Sequence, residues 1–163
     1  MAARLGAVND FYNALPWISD TRHWKRKDYW ATPLESLLSN GADCEDFAIA
    51  KYYALLWLGV DEQRLRLLYA DIDGMRDRHM VLAYLAADGD DPEILDNIDR
   101  RIRPLSARTD LRPLMAFNTT GAWKGAGASA PRLAGRADNI SSWRQMRARL
   151  DMQSRMVDSM LAR

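Results

Sequence analysis

The sequence predicts an α+β fold on three observations. Apolar residues recur at helical spacing before Gly59 and after Ser141. Between Leu65 and Asn118 they instead alternate or form short unbroken runs. Turn residues separate those runs closely enough that successive strands should pair antiparallel. Helices first, strands next and a closing helix last is the order of an α+β chain, not of repeated βαβ units.

Leu5 to Leu15 reads as a short amphipathic helix carrying Leu5, Val8, Phe11, Tyr12 and Leu15, and Pro16 ends it. Trp17 to Trp30 interleaves aromatic and basic residues and reads as a loop packed on the body. Such interleaving also suits single-stranded nucleic acid. The run is short, however, and the 163-residue chain carries a net charge of only +1, so no nucleic-acid partner is expected. Thr32-Pro33-Leu34-Glu35 starts a helix: Thr32 caps, Pro33 suits the first helical position, and Glu35 completes a capping box. That helix stops at Asn40-Gly41. The next one runs roughly from Asp43 to Leu58. Its apolar positions (Phe47, Ile49, Ala50, Tyr53, Ala54, Leu56, Trp57 and Leu58) cover much of the circumference, which predicts a central, largely buried helix. Gly59 before apolar Val60 is a left-handed stop.

The period then changes. Leu65, Leu67 and Tyr69 alternate with Arg64, Arg66 and Leu68, as in a half-buried strand. Asp71, Asp73 and Gly74 share features with a calcium loop, but the glycine comes too early and the closing glutamate is absent, so that reading is discarded. His79 to Leu85 reads as a buried strand, Asp88 to Pro92 as a turn, and Glu93 to Asn97 as the returning strand of a hairpin. Ile102 to Pro104 and Pro113 to Asn118 read as edge strands because each contains proline. Thr119 to Gly135 is rich in Gly and Ala and reads as a mobile loop. A last helix over 141–162 places Trp143, Met146, Leu150, Val157 and Met160 on one side. The chain is expected to be one domain, residues 1–163. Its longest apolar stretch, Phe47 to Val60, contains Lys51 and is too short to span a bilayer. No signal peptide is read after Met1.

Cys44 is the only cysteine, so no intrachain disulfide forms. It stands in the first turn of the central helix, where the dipole and unpaired N–H groups favour a thiolate. A nucleophilic thiol needs a base within reach and a group to orient that base. Of the two histidines, His23 lies in the aromatic loop, whereas His79 opens a strand expected against the cysteine helix. Asp96 falls on the partner strand of the His79 hairpin. Each residue has a plainer role: a buried small thiol, an edge histidine, a strand-end turn. The joint arrangement favours a site. Asp43, Glu45 and Asp46 crowd the thiol and would raise its pKa unless neutralised. They suit a bound Ca²⁺, and they equally suit an N-cap with dipole-complementing acids behind it.

The runs KDYWATP (27–33), GADCEDFAIAKYYAL (41–55), LRLLYA (65–70), HMVLAY (79–84), LDN (95–97) and IRPLSARTDLRPLMAFN (102–118) closely resemble the bacterial transglutaminase-like cysteine proteinases of the LapG type. The resemblance spans about Val8 to Trp123. It implies a papain-like or transglutaminase-like core, with Cys44, His79 and Asp96 as the catalytic residues. It also implies Ca²⁺ held around the DCED loop by Asp43, Glu45 and Asp46. The implied activity is periplasmic cleavage of a large surface adhesin near its N-terminus, at an Ala-Ala site, which releases the biofilm the adhesin anchors. The implied regulator is the periplasmic domain of an inner-membrane cyclic di-GMP receptor. Asp77 and Arg78 precede His79 where less charged residues are expected, and the periplasmic location rests on the resemblance alone. Two other readings stay open: acyl transfer to an amine on the same residues, and a catalytically silent receptor-binding module.

Overall fold

A computed structural model describes residues 1–86, 91–127, 130–133 and 137–162. The sheet is the reference layer. It has six strands: β1 (Leu65–Ile72), β2 (His79–Tyr84), β3 (Glu93–Leu95), β4 (Arg103–Pro104), β5 (Leu111–Phe117) and β6 (Ala122–Trp123). Their order is β4-β3-β2-β1-β5-β6, with every pairing antiparallel. Among the described residues, five α-helices accompany it: α1 (Ala2–Asn13), α2 (Asp20–His23), α3 (Pro33–Ser39), α4 (Cys44–Trp57) and α5 (Ser141–Leu161). The α+β class follows directly from this order.

The helix boundaries have local causes. Thr32 accepts from the Glu35 N–H at 3.1 Å while Glu35 accepts from the Thr32 N–H at 2.8 Å, a reciprocal capping box at the start of α3. Asn40 then takes a left-handed φ of 52°. Gly41 follows with no room for a Cβ, which would meet the His23 ring at 2.5 Å and Ile18 at 2.7 Å. α4 ends as expected: Gly59 has φ 79°, and the Val60 N–H returns to the Leu55 carbonyl at 2.9 Å.

α4 is the central helix. Phe47, Ile49, Tyr52 and Leu55 are buried in one cluster with Leu5 and Tyr12 of α1, Leu65 and Leu67 of β1, Met80 and Leu82 of β2, and Trp143 of α5. The opposite face of the sheet is also covered. Leu68, Ala70, Val81, Ala83, Ile94 and Ala116 form a second cluster with Ala126, and Leu105 packs against it.

That second layer corrects the half-buried reading of β1, which is buried along nearly its whole length. Arg66 tolerates this burial by lying over the Trp123 ring at 4.1 Å and donating to the Gly127 carbonyl at 2.5 Å. β5 is not an edge strand but sits between β1 and β6. Its Pro113 falls where the β1–β5 register shifts, between Tyr69 and Ala70, so the missing N–H sits at an irregularity rather than in a regular ladder. β4 does lie at the edge. β6 and the bridge from Trp123 to Arg132 occupy part of the expected 119–135 loop. The expected 88–92 turn lies mostly outside the described residues. In α5, Trp143 and Met146 are buried, but Val157 and Met160 stay exposed instead of continuing the inward face.

Candidate active site

Cys44, His79, Asp20, Asp43 and Glu45 line one pocket of about 630 Å³. Cys44 is the first residue of α4, directly after the N-cap Asp43. His79 opens β2 and pairs with Ala70 of β1. Packing of α4 onto β2 through Phe47, Met80 and Leu82 therefore brings the helix start to the strand start.

His79 is 1% exposed, and its Nε2 lies 2.7 Å from Asp96 Oδ1. A carboxylate only accepts, so Nε2 carries the hydrogen and Nδ1 is left as the ring's acceptor. Asp96 stands one residue past the end of β3, where the sequence reading had the strand run on to Asn97. The turn is fixed from two sides. The Ile98 N–H donates to Asp96 Oδ1 at 2.9 Å, and Asn13 of α1 donates to the Asp96 carbonyl at 2.8 Å. Arg108 Nη2 approaches Asp96 Oδ2 at 2.9 Å as an ion pair rather than an aligned hydrogen bond. Burial by itself would raise the Asp96 pKa. The hydrogen bond and charge of His79, the Ile98 N–H and the Arg108 charge outweigh it and hold the carboxyl down at about 2.

The thiol is in the opposite situation. Burial pushes the Cys44 pKa far up, and the charge and hydrogen bond of Glu45 and the charge of Asp43 push it further. Sγ donates to Glu45 Oε2 at 2.9 Å. The Met80 N–H lowers the thiol pKa and sets the sulfur beside the start of β2. Here burial, with the acidic surroundings behind it, outweighs the pull of the helix start.

Asp20, Asp43 and Glu45 offer oxygens that lie within 4.8 Å of one another. Burial first, then Glu45, Asp46 and Asp20, raise Asp43 to about 10; burial, Glu45 and Asp28 raise Asp20 to about 6 against the Tyr29 N–H that its Oδ2 accepts. Asp20 Oδ1 and Asp43 Oδ1 are buried without a hydrogen-bond partner among the described residues. Crowded, unpartnered, hard oxygens fit a divalent cation such as Ca²⁺. Of the three expected ligands, the structure groups Asp43 and Glu45, and it adds Asp20 rather than Asp46. Asp46 is turned away. It accepts the Ala31 N–H at 2.6 Å and reaches the Asp43 N–H at 3.4 Å, the N3 half of a capping arrangement.

Asp20 carries no local signal in the sequence. It arrives because the chain pairs Trp17 with Ala42 in a parallel bridge, with Ile18 donating to the Ala42 carbonyl at 2.9 Å and Ala42 to the Pro16 carbonyl at 3.2 Å. That pairing lays the segment before α2 alongside the segment before α4.

A protein-family model for the bacterial transglutaminase-like cysteine proteinases matches residues 1–123. Among solved structures, Legionella pneumophila LapG superposes with a TM-score of 0.78 at 34% identity, covering 91% of this chain and 76% of that one. The EGTA-treated form of LapG gives 0.80 at 35%, covering 91% and 78%. The calcium-bound form gives 0.75 at 34%, covering 91% and 80%. No curated protein resembles the chain closely enough to count as a match. Among the described residues, no helix is long and apolar enough to cross a membrane.

Proposed function

Because the chain belongs to the bacterial transglutaminase-like cysteine proteinases, we propose that it is a calcium-dependent endopeptidase working through Cys44, His79 and Asp96. The observation that carries this reading is the shared pocket of Cys44 and His79, with His79 Nε2 held 2.7 Å from a buried Asp96.

His79 takes the Cys44 proton on Nδ1, and Sγ attacks the scissile carbonyl carbon. The Cys44 backbone N–H, in the first turn of α4 where no intrahelical acceptor is in reach, donates to the developing oxyanion. His79 then passes its proton to the leaving amine, and the C–N bond breaks to leave a thioester. Water, deprotonated by His79, attacks the thioester, releases the acid and restores the thiol. Asp96 keeps the hydrogen on Nε2 throughout. Calcium held by Asp20, Asp43 and Glu45 would neutralise the charge that keeps the thiol protonated. Glu45 engaged by the ion would compete less for the thiol proton that His79 accepts.

The proposed substrate is a protein, and the family resemblance supports a large surface adhesin cut at a small-residue (Ala-Ala) site in the periplasm. The partner it implies is the periplasmic domain of a cyclic di-GMP receptor. Exposed Trp17, Met75 and Ile98 around the pocket offer apolar contacts to an extended chain. The test is incubation with an adhesin N-terminal fragment, read by mass spectrometry. A shortened fragment is expected with Ca²⁺ and none with EGTA or with Cys44→Ala. Surviving cleavage in Cys44→Ala removes the nucleophile, full activity in EGTA removes the calcium, and an isopeptide-linked product replaces hydrolysis by acyl transfer.

A further inference from the structure

Behind the His79–Asp96 pair lies a buried cation that the proposed mechanism leaves unused. Arg108 follows a short 3₁₀ turn, Leu105–Ala107, and precedes β5. It is 1% exposed, among the largest fully buried side chains of the described residues. Burying a guanidinium is costly unless anions compensate it. Two do. Arg108 Nη2 lies 2.9 Å from Asp96 Oδ2. Nε and Nη2 donate in a fork to Asp110 Oδ1 and Oδ2 at 2.9 and 2.8 Å. The result is an unbroken row of imidazole, carboxylate, guanidinium and carboxylate: His79, Asp96, Arg108, Asp110.

The two ends of the row differ. Asp96 is completely buried, whereas the Asp110 side chain is 40% exposed. The aligned hydrogen bonds all go to Asp110. Asp96 receives the charge of Arg108 without an aligned bond, and both Asp96 Oδ2 and Arg108 Nη1 lack a hydrogen-bond partner among the described residues. The guanidinium is thus shared between the two carboxylates.

On the reading that Cys44, His79 and Asp96 carry the reaction, we propose that Arg108 is a positioning residue for His79, acting through Asp96, with Asp110 adjusting its hold. Arg108 pins the carboxylate that aims the imidazole, and its charge weakens that carboxylate as an acceptor. Asp96 therefore orients His79 without holding the imidazolium so strongly that it withholds the proton from the leaving amine. A purely structural ion pair would fix Arg108 in place but would give Asp110 no influence on the His79 ring.

The experiment compares Arg108→Met and Asp110→Asn in the full chain by NMR of the imidazole nitrogen and proton shifts of His79, beside cleavage kinetics. Asp110→Asn loosens the fork and gives Asp96 more of the cation, so the Nε2 proton should move upfield. Arg108→Met removes the cation, Asp96 becomes the stronger acceptor, and the proton should move downfield. In Arg108→Met, kcat should fall by roughly tenfold to a hundredfold with little change in KM, the range seen when the support of a functional side chain is lost. Shifts in opposite directions support the proposal. A folded Asp110→Asn whose His79 signals stay at the wild-type position overturns it, and that variant decides alone if Arg108→Met does not fold. The NMR readout needs no turnover, so its failure is distinct from that of the protease reading, which shows as surviving cleavage in Cys44→Ala.

Discussion

Two carboxylates, Asp43 in the lining of the pocket and Asp96 against the His79 ring, are both buried, yet their pKa values move in opposite directions: Asp43 up to about 10, Asp96 down to about 2. Burial pushes both upward, so the difference lies in the company each keeps. Asp96 has His79, Arg108 and the Ile98 N–H around it. Asp43 has Glu45, Asp46 and Asp20. Behind His79 the protein sets a buried cation, Arg108, against the carboxylate, whereas beside Cys44 it crowds acids together. On the proposed reading, one half of the site is finished by folding, and the other is left for a cation to complete.

The contrast breaks most visibly under matched substitutions. Asp96→Asn removes a compensated carboxylate. It should reduce kcat by roughly 10²–10⁴-fold through loss of the productive tautomer. It should also destabilise the domain by about 3 kcal/mol, because the buried Arg108 loses one counter-charge. Asp43→Asn removes an uncompensated carboxylate and keeps a good N-cap for α4. It should stabilise the metal-free protein by roughly 1 kcal/mol while weakening calcium binding. Urea unfolding of both variants in EGTA checks the pair. Destabilisation of equal size in both would erase the distinction.

The sequence made the finished half far more legible than the unfinished one. Cys44, His79 and Asp96 stand in short, distinctive runs, and the α4 stop at Gly59 and the α3 capping box are local signals read correctly. Asp20 was out of reach because a long-range pairing, the Trp17–Ala42 bridge, brings its segment beside the start of α4. Asp46 adjoins Glu45 in sequence, but a helix rotates by about 100° per residue. That rotation turns it to the Ala31 N–H. Arg108 was visible as one basic residue among many, since nothing local tells that a 3₁₀ turn will bury it against Asp96. β1 and β5 were misjudged for a related reason: alternation and proline report one strand's own chemistry, not the loops that later cover it.

The unfinished half also predicts a pH dependence. A carboxyl whose pKa is raised holds its proton into the neutral range, so calcium must displace that proton to bind. With Asp43 raised to about 10 and Asp20 to about 6, affinity should climb with pH through neutrality, roughly tenfold per pH unit for each proton displaced. It should fall more steeply below about 6, where Asp20 also protonates. Calorimetric titration with Ca²⁺ in buffers of unequal ionisation enthalpy counts the released protons. Binding without proton release would mean that the acids are already ionised, and the front of the pocket would then resemble the back.

Lys51 tests where the finished half ends. It sits on α4, fully buried, with Nζ lacking a hydrogen-bond partner among the described residues and lying 5.9 Å from the Phe47 ring centroid. Burial lowers its pKa to about 7, against the upward pull of Asp96. The unfolded chain, with an ordinary lysine near 10.4, binds more protons than the folded one between about pH 7 and 10, so stability should rise with pH across that window. Lys51→Met removes the buried amine and should stabilise the domain by about 1–2 kcal/mol near pH 7, a gain that shrinks towards pH 10. Urea unfolding at the two ends of the window measures both the sign and the slope. A loss of stability instead of a gain would mean that the attraction to Asp96 exceeds the cost of burial. Lys51 would then join Arg108 as a cation that holds Asp96 ionised.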